Sequence, residues 1–452
     1  MEGEREIDEV VAEAEDRGVR ITRVMWCGSD GIVRSKGVTT GRLRARMVSG
    51  VGLTRAQPAQ TAHDEIADVP GVGPVGEMRL RPDPATFRVL PYAPRTGAML
   101  ADWVDLGGSP EATCPRHFLR RMEARLADAG LALRAGFENE YVLAREDGDG
   151  WQPIDRTPCF SAIGAAAAQE HTDALLDALA AQSIEVEGCH AEGGWGQNEI
   201  ALAPRPGLRA ADEQVLVREA LRGVARAQGL VASLAPKPFP EGAGSGLHAH
   251  ISLVTPDGGN AFADPDDPAG LSATARSFIA GLLAHLPALC ALTAPSAGSY
   301  RRLVPRSWAG AWRCWGVDNR EAAVRACSPL GGLEDATTNL EYKPCDASAS
   351  PYLALGALVA AGLDGTERRL EPPAPATADP AMLSERARAE RGIERLPASP
   401  GEALDALESD ALLLGALGDP LARSYVAVRR SEWERDRAGD ADEERRAAFD
   451  RY

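Results

Sequence analysis

Apolar residues recur at helical spacing through Ile7, Val10, Val11 and Ala14, and between Arg20 and Met25 the pattern changes to alternation. That change predicts a helix followed by a strand. Asp30-Gly31, inside SDGIVRSKGV at residues 29–38, predicts a turn into a second strand and so a hairpin. A small α+β unit therefore opens the chain. Glycine and proline are dense from Pro70 to Pro94, and alternation resumes over Met99 to Leu106, which divides the chain into domains 1–106 and 107–452. Amphipathic helices are predicted over residues 115–130, 171–182 and 212–228, with short alternating strands between and after them. The Pro/Ala-rich stretch 371–380 reads as a surface loop, and residues 401–452 read as two or three charged helices. No internal repeat is visible. The longest apolar stretch, 278–295, is interrupted by His285 and Pro287 and reads as too short to span a bilayer.

A chain of 452 residues with 44% hydrophobic and 25% charged residues is of ordinary globular composition, which excludes collagen-like and globally disordered classes. Its 66 acidic and 49 basic side chains give a net charge of −17, which repels phosphate backbones and anionic surfaces. Neither nucleic acid nor a membrane is an expected partner. Only three of the basic residues are lysine, Lys36, Lys237 and Lys343, so each merits inspection. The eight cysteines form no CxxC pair and read as reduced thiols. The charged N-terminal segment has no apolar secretory core, and a cytoplasmic location is expected.

Four segments carry candidate chemistry. GFENEYVL places Glu138 and Glu140 on one face of a strand, a pattern that by itself describes a solvated face. HAEGGWGQNEI adds Glu192 and Glu199, LHAHISL adds His248 and His250, and NLEYKP adds Glu341 and Lys343. Five carboxylates and one imidazole, from Glu138, Glu140, Glu192, Glu199, Glu341 and His248, suit magnesium or manganese and not a closed zinc site. So many anionic groups repel unless two or more cations compensate them. Arg302, Arg320 and Arg325 supply planar donors that match carboxylate and phosphate oxygens, and metals with arginines point to phosphoryl transfer. GAGSGLH is glycine-rich but matches neither the P-loop nor the dinucleotide fingerprint.

In chain order, RPDPATFRVLPYAP, CPRHFLRR, GFENEY, GCHAEGGWGQNEI, KPFPEGAGSGLHAHISL, SYRRLVP, DNREAAVR, LEYKPCDASASPYLAL and AGLDG resemble the segments of the glutamine synthetase family. The resemblance covers nearly the whole chain. It implies an α+β fold: a small N-terminal β-grasp domain, then a catalytic domain with a curved antiparallel sheet and surrounding helices. It implies that Glu140, Glu192 and Glu199 hold one metal and Glu138, His248 and Glu341 a second. Glu187, His250, Ser252 and Arg325 fall at ATP-contacting positions, and Arg320 falls where the transferred phosphate is held. Arg302 and the backbone at Gly244 match positions that hold glutamate. The implied reaction converts the glutamate γ-carboxylate to an acyl phosphate with ATP, and an amine then displaces phosphate. The implied assembly is a homo-oligomer, a dodecamer of two hexameric rings with each site between subunits.

The sequence also departs from that family's ammonia-using members. Trp308 stands three residues after RLVP, where they carry a glutamate that attends ammonium, and GVGLTRAQ at residues 50–57 lacks their aspartate. Ala243 and Lys343 replace an expected asparagine and arginine in the acid-substrate pocket. Trp308, Trp312 and Trp315 suggest an aromatic wall. These departures resemble the glutamate-amine ligases, including γ-glutamylpolyamine, γ-glutamylethanolamide and γ-glutamylmethylamide synthetases. The expected function is an ATP-dependent ligase joining glutamate to an organic amine, with Arg302, Arg320 and Trp308 as catalytic groups and Gly244, Arg302, Lys343 and Trp308 binding substrate. By the resemblance Glu192 and Glu77 are candidate acidic neighbours of the amine. A true ammonia-using enzyme, a phosphotransferase on another acid and a regulatory relative remain open, the last disfavoured by the complete ligand set.

Overall fold

The computed structural model describes residues 2–148 and 150–452. After the helix Glu2–Asp16 come β1 (Ile21–Cys27), β2 (Val33–Thr39), β3 (Val51–Thr54), β4 (Glu77–Pro82), β5 (Arg88–Val89) and β6 (Thr96–Val104). They form one sheet in the order β2-β1-β6-β4-β3, with β5 on β6. The β1–β2 hairpin turns at Asp30-Gly31 as the sequence predicts, and β1 runs parallel to β6. Val24, Trp26, Met99 and Trp103 point to one face and bury Val10 and Ala14 of the helix.

The second sheet comprises β7 (Ala132–Asp147), β8 (Gly150–Pro153), β9 (Val186–Ala191), β10 (Gln197–Leu202), β11 (Arg205–Pro206), β12 (Val231–Ser233), β13 (Leu247–Val254), β14 (Trp312–Val317), β15 (Ala322–Cys327), β16 (Asn339–Tyr342) and β17 (Glu394–Arg395). Its main order is β17-β14-β15-β16-β13-β7-β10-β9. The expected antiparallel sheet holds except at β14 and β15, which run parallel. The short return at residues 318–321 uses Asp318 at φ 50°, and the Asn319 amide anchors it to the carbonyls of Ala376 and Ala378.

The PDP and CPR segments meet where the two sheets join. Arg116 donates to Asp212 Oδ1 and Oδ2 at 2.9 and 2.7 Å, to Asp102 at 2.9 Å and to Asp83 at 2.8 Å, while only 3% exposed. Burial disfavours its charge, but these carboxylates raise its pKa far above the ordinary value.

Three expectations need correction. The predicted helix at 171–182 spans Ala162–Ala180, because Ser161 caps the N–H groups of Ile163 and Gly164 and the alanine-rich first half has high helix propensity without a strong stripe. The tail has four helices, Pro400–Glu408, Ala411–Leu417, Asp419–Ala438 and Ala441–Arg451, and the second of them is apolar, not charged. The apolar stretch around 278–295 belongs to a longer helix, Ala273–Thr293, whose 21 residues are long and apolar enough to cross a membrane. That helix packs against Pro351–Glu367 in the core, and 78% of its most apolar window is buried inside the fold.

Candidate active site

Strand register explains how the candidate groups meet. On β7, Glu138 pairs with His248 of β13 and Glu140 pairs with Glu199 of β10; His250 faces Glu341 of β16, and Glu199 faces His190 of β9. Alternation then sends these side chains to one side of the sheet. All six candidate metal ligands line one cavity of about 540 Å³, together with Arg302, Arg320, Trp308, Lys343 and Gly244. A neighbouring cavity of about 340 Å³ is lined by Glu187, His250 and Ser252, and Glu138 borders both. Arg325 reaches Glu341 Oε2 at 2.9 Å.

Within this set two groups of ligand atoms converge, Glu138 with His250 and Glu341, and His190 with Glu192 and Glu199, all atoms within 4.8 Å of one another in each group. His190 and His250 thus join the groups the resemblance implied, and Glu140 and His248 lie beside them. Glu140 Oε2 accepts from the Gly246 N–H at 2.7 Å and from the Gln197 amide at 3.0 Å. His248 lies 3.3 Å from both Glu138 and Glu341, and its Nε2 is 3.1 Å from the Arg302 guanidinium. The GSG turn leaves no room for side chains: a Cβ on Gly244 would lie 2.5 Å from the Pro236 carbonyl oxygen, and one on Gly246 would lie 2.3 Å from Arg302.

The carboxylates divide electrostatically. Burial pushes Glu199 up to about 8, and the Glu138 and Glu140 carboxylates push it the same way. Burial also opposes ionisation of Glu138 and Glu341, but His248 and His250 hold Glu138 well below the usual range, and Lys343, 2.8 Å from Glu341, does the same for that residue. Glu192 is lowered against its burial by hydrogen bonds from His190 and the Gly193 N–H. An all-oxygen and imidazole donor set with one carboxylate forced toward neutrality fits hard divalent cations, which would restore its charge.

The expected wall of three tryptophans is not formed. Trp308 is 55% exposed and lines the cavity, but Trp312 and Trp315 are each 5% exposed. Trp312 lies between the guanidinium groups of Arg388 and Arg395 at 4.8 and 5.0 Å, and the Trp315 indole donates to the Pro373 carbonyl at 2.7 Å. The second aromatic at the cavity is Phe160, 63% exposed, whose ring meets His190 edge-on at 5.1 Å. Its one sequence signal was an isolated phenylalanine before a capping serine. Glu77 is exposed on β4 and does not line the cavity.

A small mixed sheet joined to a large one, whose face gathers carboxylates, imidazoles and arginines around a cleft, is the architecture of a metal-dependent enzyme that handles phosphate. Residues 6–111 match the family description "Glutamine synthetase N-terminal domain" and residues 112–447 match "Glutamine synthetase, catalytic domain". A gamma-glutamylpolyamine synthetase of Streptomyces coelicolor is 39% identical over 92% of this chain and 90% of its own length. A glutamine synthetase of Halobacterium salinarum is 36% identical over 80% of this chain and 82% of its own. The solved structure of GmaS with ADP is 28% identical, with a TM-score of 0.85 over 98% of this chain and 99% of that one. The chain belongs to the glutamine synthetase family and is an ATP-dependent ligase. Enzymes of this family use ATP and divalent metal ions.

Proposed function

We propose that this ligase joins the γ-carboxylate of glutamate to an organic amine through a γ-glutamyl phosphate. The observation that carries this reading is the nitrogen end of the cavity, where Trp308 and Phe160 present exposed aromatic surface and the loop tip carries no carboxylate. An indole cannot take a proton from ammonium, but it covers an alkyl chain or faces a cation. The relative named as a gamma-glutamylpolyamine synthetase supports the same reading. A second reading, ammonia as the nitrogen donor, is favoured by the relatives named as glutamine synthetases.

Glu192 and Glu199, with Glu140 or the adjacent His190, would hold one magnesium or manganese ion. Glu138 and Glu341, with His248 or His250, would hold the other. When bound, these ions neutralise phosphate oxygens during transfer. Glu187, His250 and Ser252 attend ATP at the neighbouring cavity, Arg325 attends it from beside Glu341, and Arg320 steadies the transferred phosphoryl group. Arg302, buried beside the GSG turn, and the Gly244 backbone hold the glutamate carboxylates, with Lys343 behind them fixing Glu341. Displacement of phosphate needs a free amine, and with Glu192 committed to a metal the rate should climb with pH as free amine accumulates. A dodecamer of two hexameric rings fits this reading, because Glu77 could reach a nitrogen site only in a second copy.

The test is phosphate release with ATP, glutamate and each of ammonia, methylamine, ethanolamine, 1,4-diaminobutane and spermidine. At least one organic amine should exceed ammonia in kcat/KM, and Trp308→Ala should raise the KM of that amine about tenfold while leaving the KM of glutamate unchanged. If ammonia is the best donor, the organic-amine reading is wrong.

A further inference from the structure

The segment after the helix Ala297–Arg302 passes the cavity, carries Trp308 and returns to β14. It holds two side-chain-bearing residues in the left-handed region, Arg306 at φ 61° and Trp308 at φ 55°. L-residues avoid that region, so such conformations persist only where their surroundings over-determine them. Here both backbone N–H groups donate to one carboxylate. The Arg306 N–H reaches Glu321 Oε2 at 3.0 Å, and the Trp308 N–H reaches Glu321 Oε1 at 2.8 Å. Glu321 is only 7% exposed and does not line the cavity. Its own N–H donates to Asn319 Oδ1 at 3.1 Å, within the turn that Asn319 anchors to Ala376 and Ala378.

Arg395 on β17 grips the same segment with the opposite polarity. Its guanidinium donates to the carbonyls of Leu303 at 3.2 Å and Ala311 at 3.1 Å, the two ends of the loop. An anion thus holds the middle of the loop and a cation holds its ends. The neighbour of Glu321 in sequence, Arg320, lines the cavity that Trp308 walls.

We propose that Glu321 is a positioning residue for the nitrogen-donor end of the site: its buried carboxylate fixes the Arg306–Trp308 backbone and so sets the indole against the cavity. This rests on the reading of Trp308 as the wall of the nitrogen-donor pocket. Because Arg320 and Glu321 share one anchored turn, the wall is held in register with an arginine at the phosphate side.

The test compares full-length wild type, E321A and E321Q in phosphate release, titrating glutamate, ATP and whichever of 1,4-diaminobutane and ammonia the wild type uses better. E321A should raise the KM of that nitrogen donor about tenfold, with the KM of glutamate and of ATP within about twofold of wild type. E321Q, which keeps one accepting oxygen, should fall between the two. Native-state trypsin digestion, read by peptide mass, should cut after Arg306 faster in E321A than in wild type. An unchanged nitrogen-donor KM overturns the proposal, and so does a matched rise in all three KM values with a lower Tm. Should E321A not fold, the same KM split in E321Q decides. Wild-type preference for ammonia would sink the organic-amine reading and leave the Glu321 result standing on ammonia.

Discussion

Glu199 is the carboxylate whose ionisation this fold most opposes, and replacing it by glutamine is the cleanest perturbation of the site. Its side chain is 10% exposed, and burial together with Glu138 and Glu140 raises it from 4.5 to about 8. Between those values the native state keeps a proton that the unfolded chain has released, so stability falls as pH rises through that window. Each tenfold change in the proton equilibrium is worth about 1.4 kcal/mol, which sets a ceiling of about 5 kcal/mol. That shift already includes the opposing pull of His190, 3.6 Å away, and relaxation and water entering the cleft reduce the expected size to about 2 to 4 kcal/mol. His190 and His250 are themselves raised, so the stability they contribute is present at low pH and lost as pH rises; the wild-type slope therefore contains their effect too. Comparison with Glu199→Gln isolates the carboxylate. The assay is urea unfolding of chelator-treated protein from about pH 5 to pH 8.5. The variant should gain on wild type steadily across that range. Magnesium or manganese should then stabilise wild type more than the variant, because a bound cation favours the carboxylate. Parallel pH curves without metal would refute the reasoning, and equal stabilisation of both proteins by metal would remove Glu199 from the cation site.

Three further substitutions separate function from stability. Glu138→Ala and Glu341→Ala should both abolish ATP turnover, but Glu341→Ala should also cost about 3 kcal/mol, because it strands Lys343, 3% exposed, without the carboxylate it bonds; equal unfolding midpoints for the two variants would contradict this. Arg116→Met should cost about 3 to 5 kcal/mol in urea unfolding by leaving Asp212 and Asp102 buried and under-paired, and a loss below about 1 kcal/mol would show that the junction between the sheets does not depend on it.

What could be read from the sequence was whatever local pattern controls. The period-2 alternation of GFENEYVL put Glu138 and Glu140 on one face, and the sheet registers complete that face with His248, His250, Glu199 and Glu341. The hairpin at Asp30-Gly31 follows from turn chemistry in the same way. Features set by long-range placement were not visible. That His190 and His250 converge with the carboxylates, and that Arg302 meets His248 Nε2 while Gln197 and Gly246 engage Glu140, follows from strand registers and loops far apart in sequence. Trp312 and Trp315 looked equivalent to Trp308, but only their partners Arg388, Arg395 and Pro373 show that they are packed away from the cleft. Glu321 gave no signal, because its role is to bind backbone N–H groups of two residues in a conformation that no periodicity encodes.

On the amine-ligase reading, what ammonium loses at the nitrogen end can be set against what a carbon chain gains there. A carboxylate at the loop tip would give ammonium one charge-assisted hydrogen bond, worth about 1.5 to 3 kcal/mol, and Trp308 forgoes it. Aromatic surface returns to ammonium only a cation–π contact of about 0.5 to 1 kcal/mol at so exposed a ring, because the ion has no apolar area to bury. An alkyl amine regains about 0.8 kcal/mol for each methylene covered, so a four-carbon chain fully covered by aromatic surface recovers about 3 kcal/mol, or about two orders of magnitude in affinity. The two terms are of similar size, so on this reading the change at the loop tip trades selection by charge for selection by chain. The remaining acidic groups at that end, Glu192 and Glu199, both lie within reach of His190, and a second amino group on the chain would have to find its counter-charge elsewhere on the rim. Selection among amines on this reading therefore follows covered length first and terminal charge second.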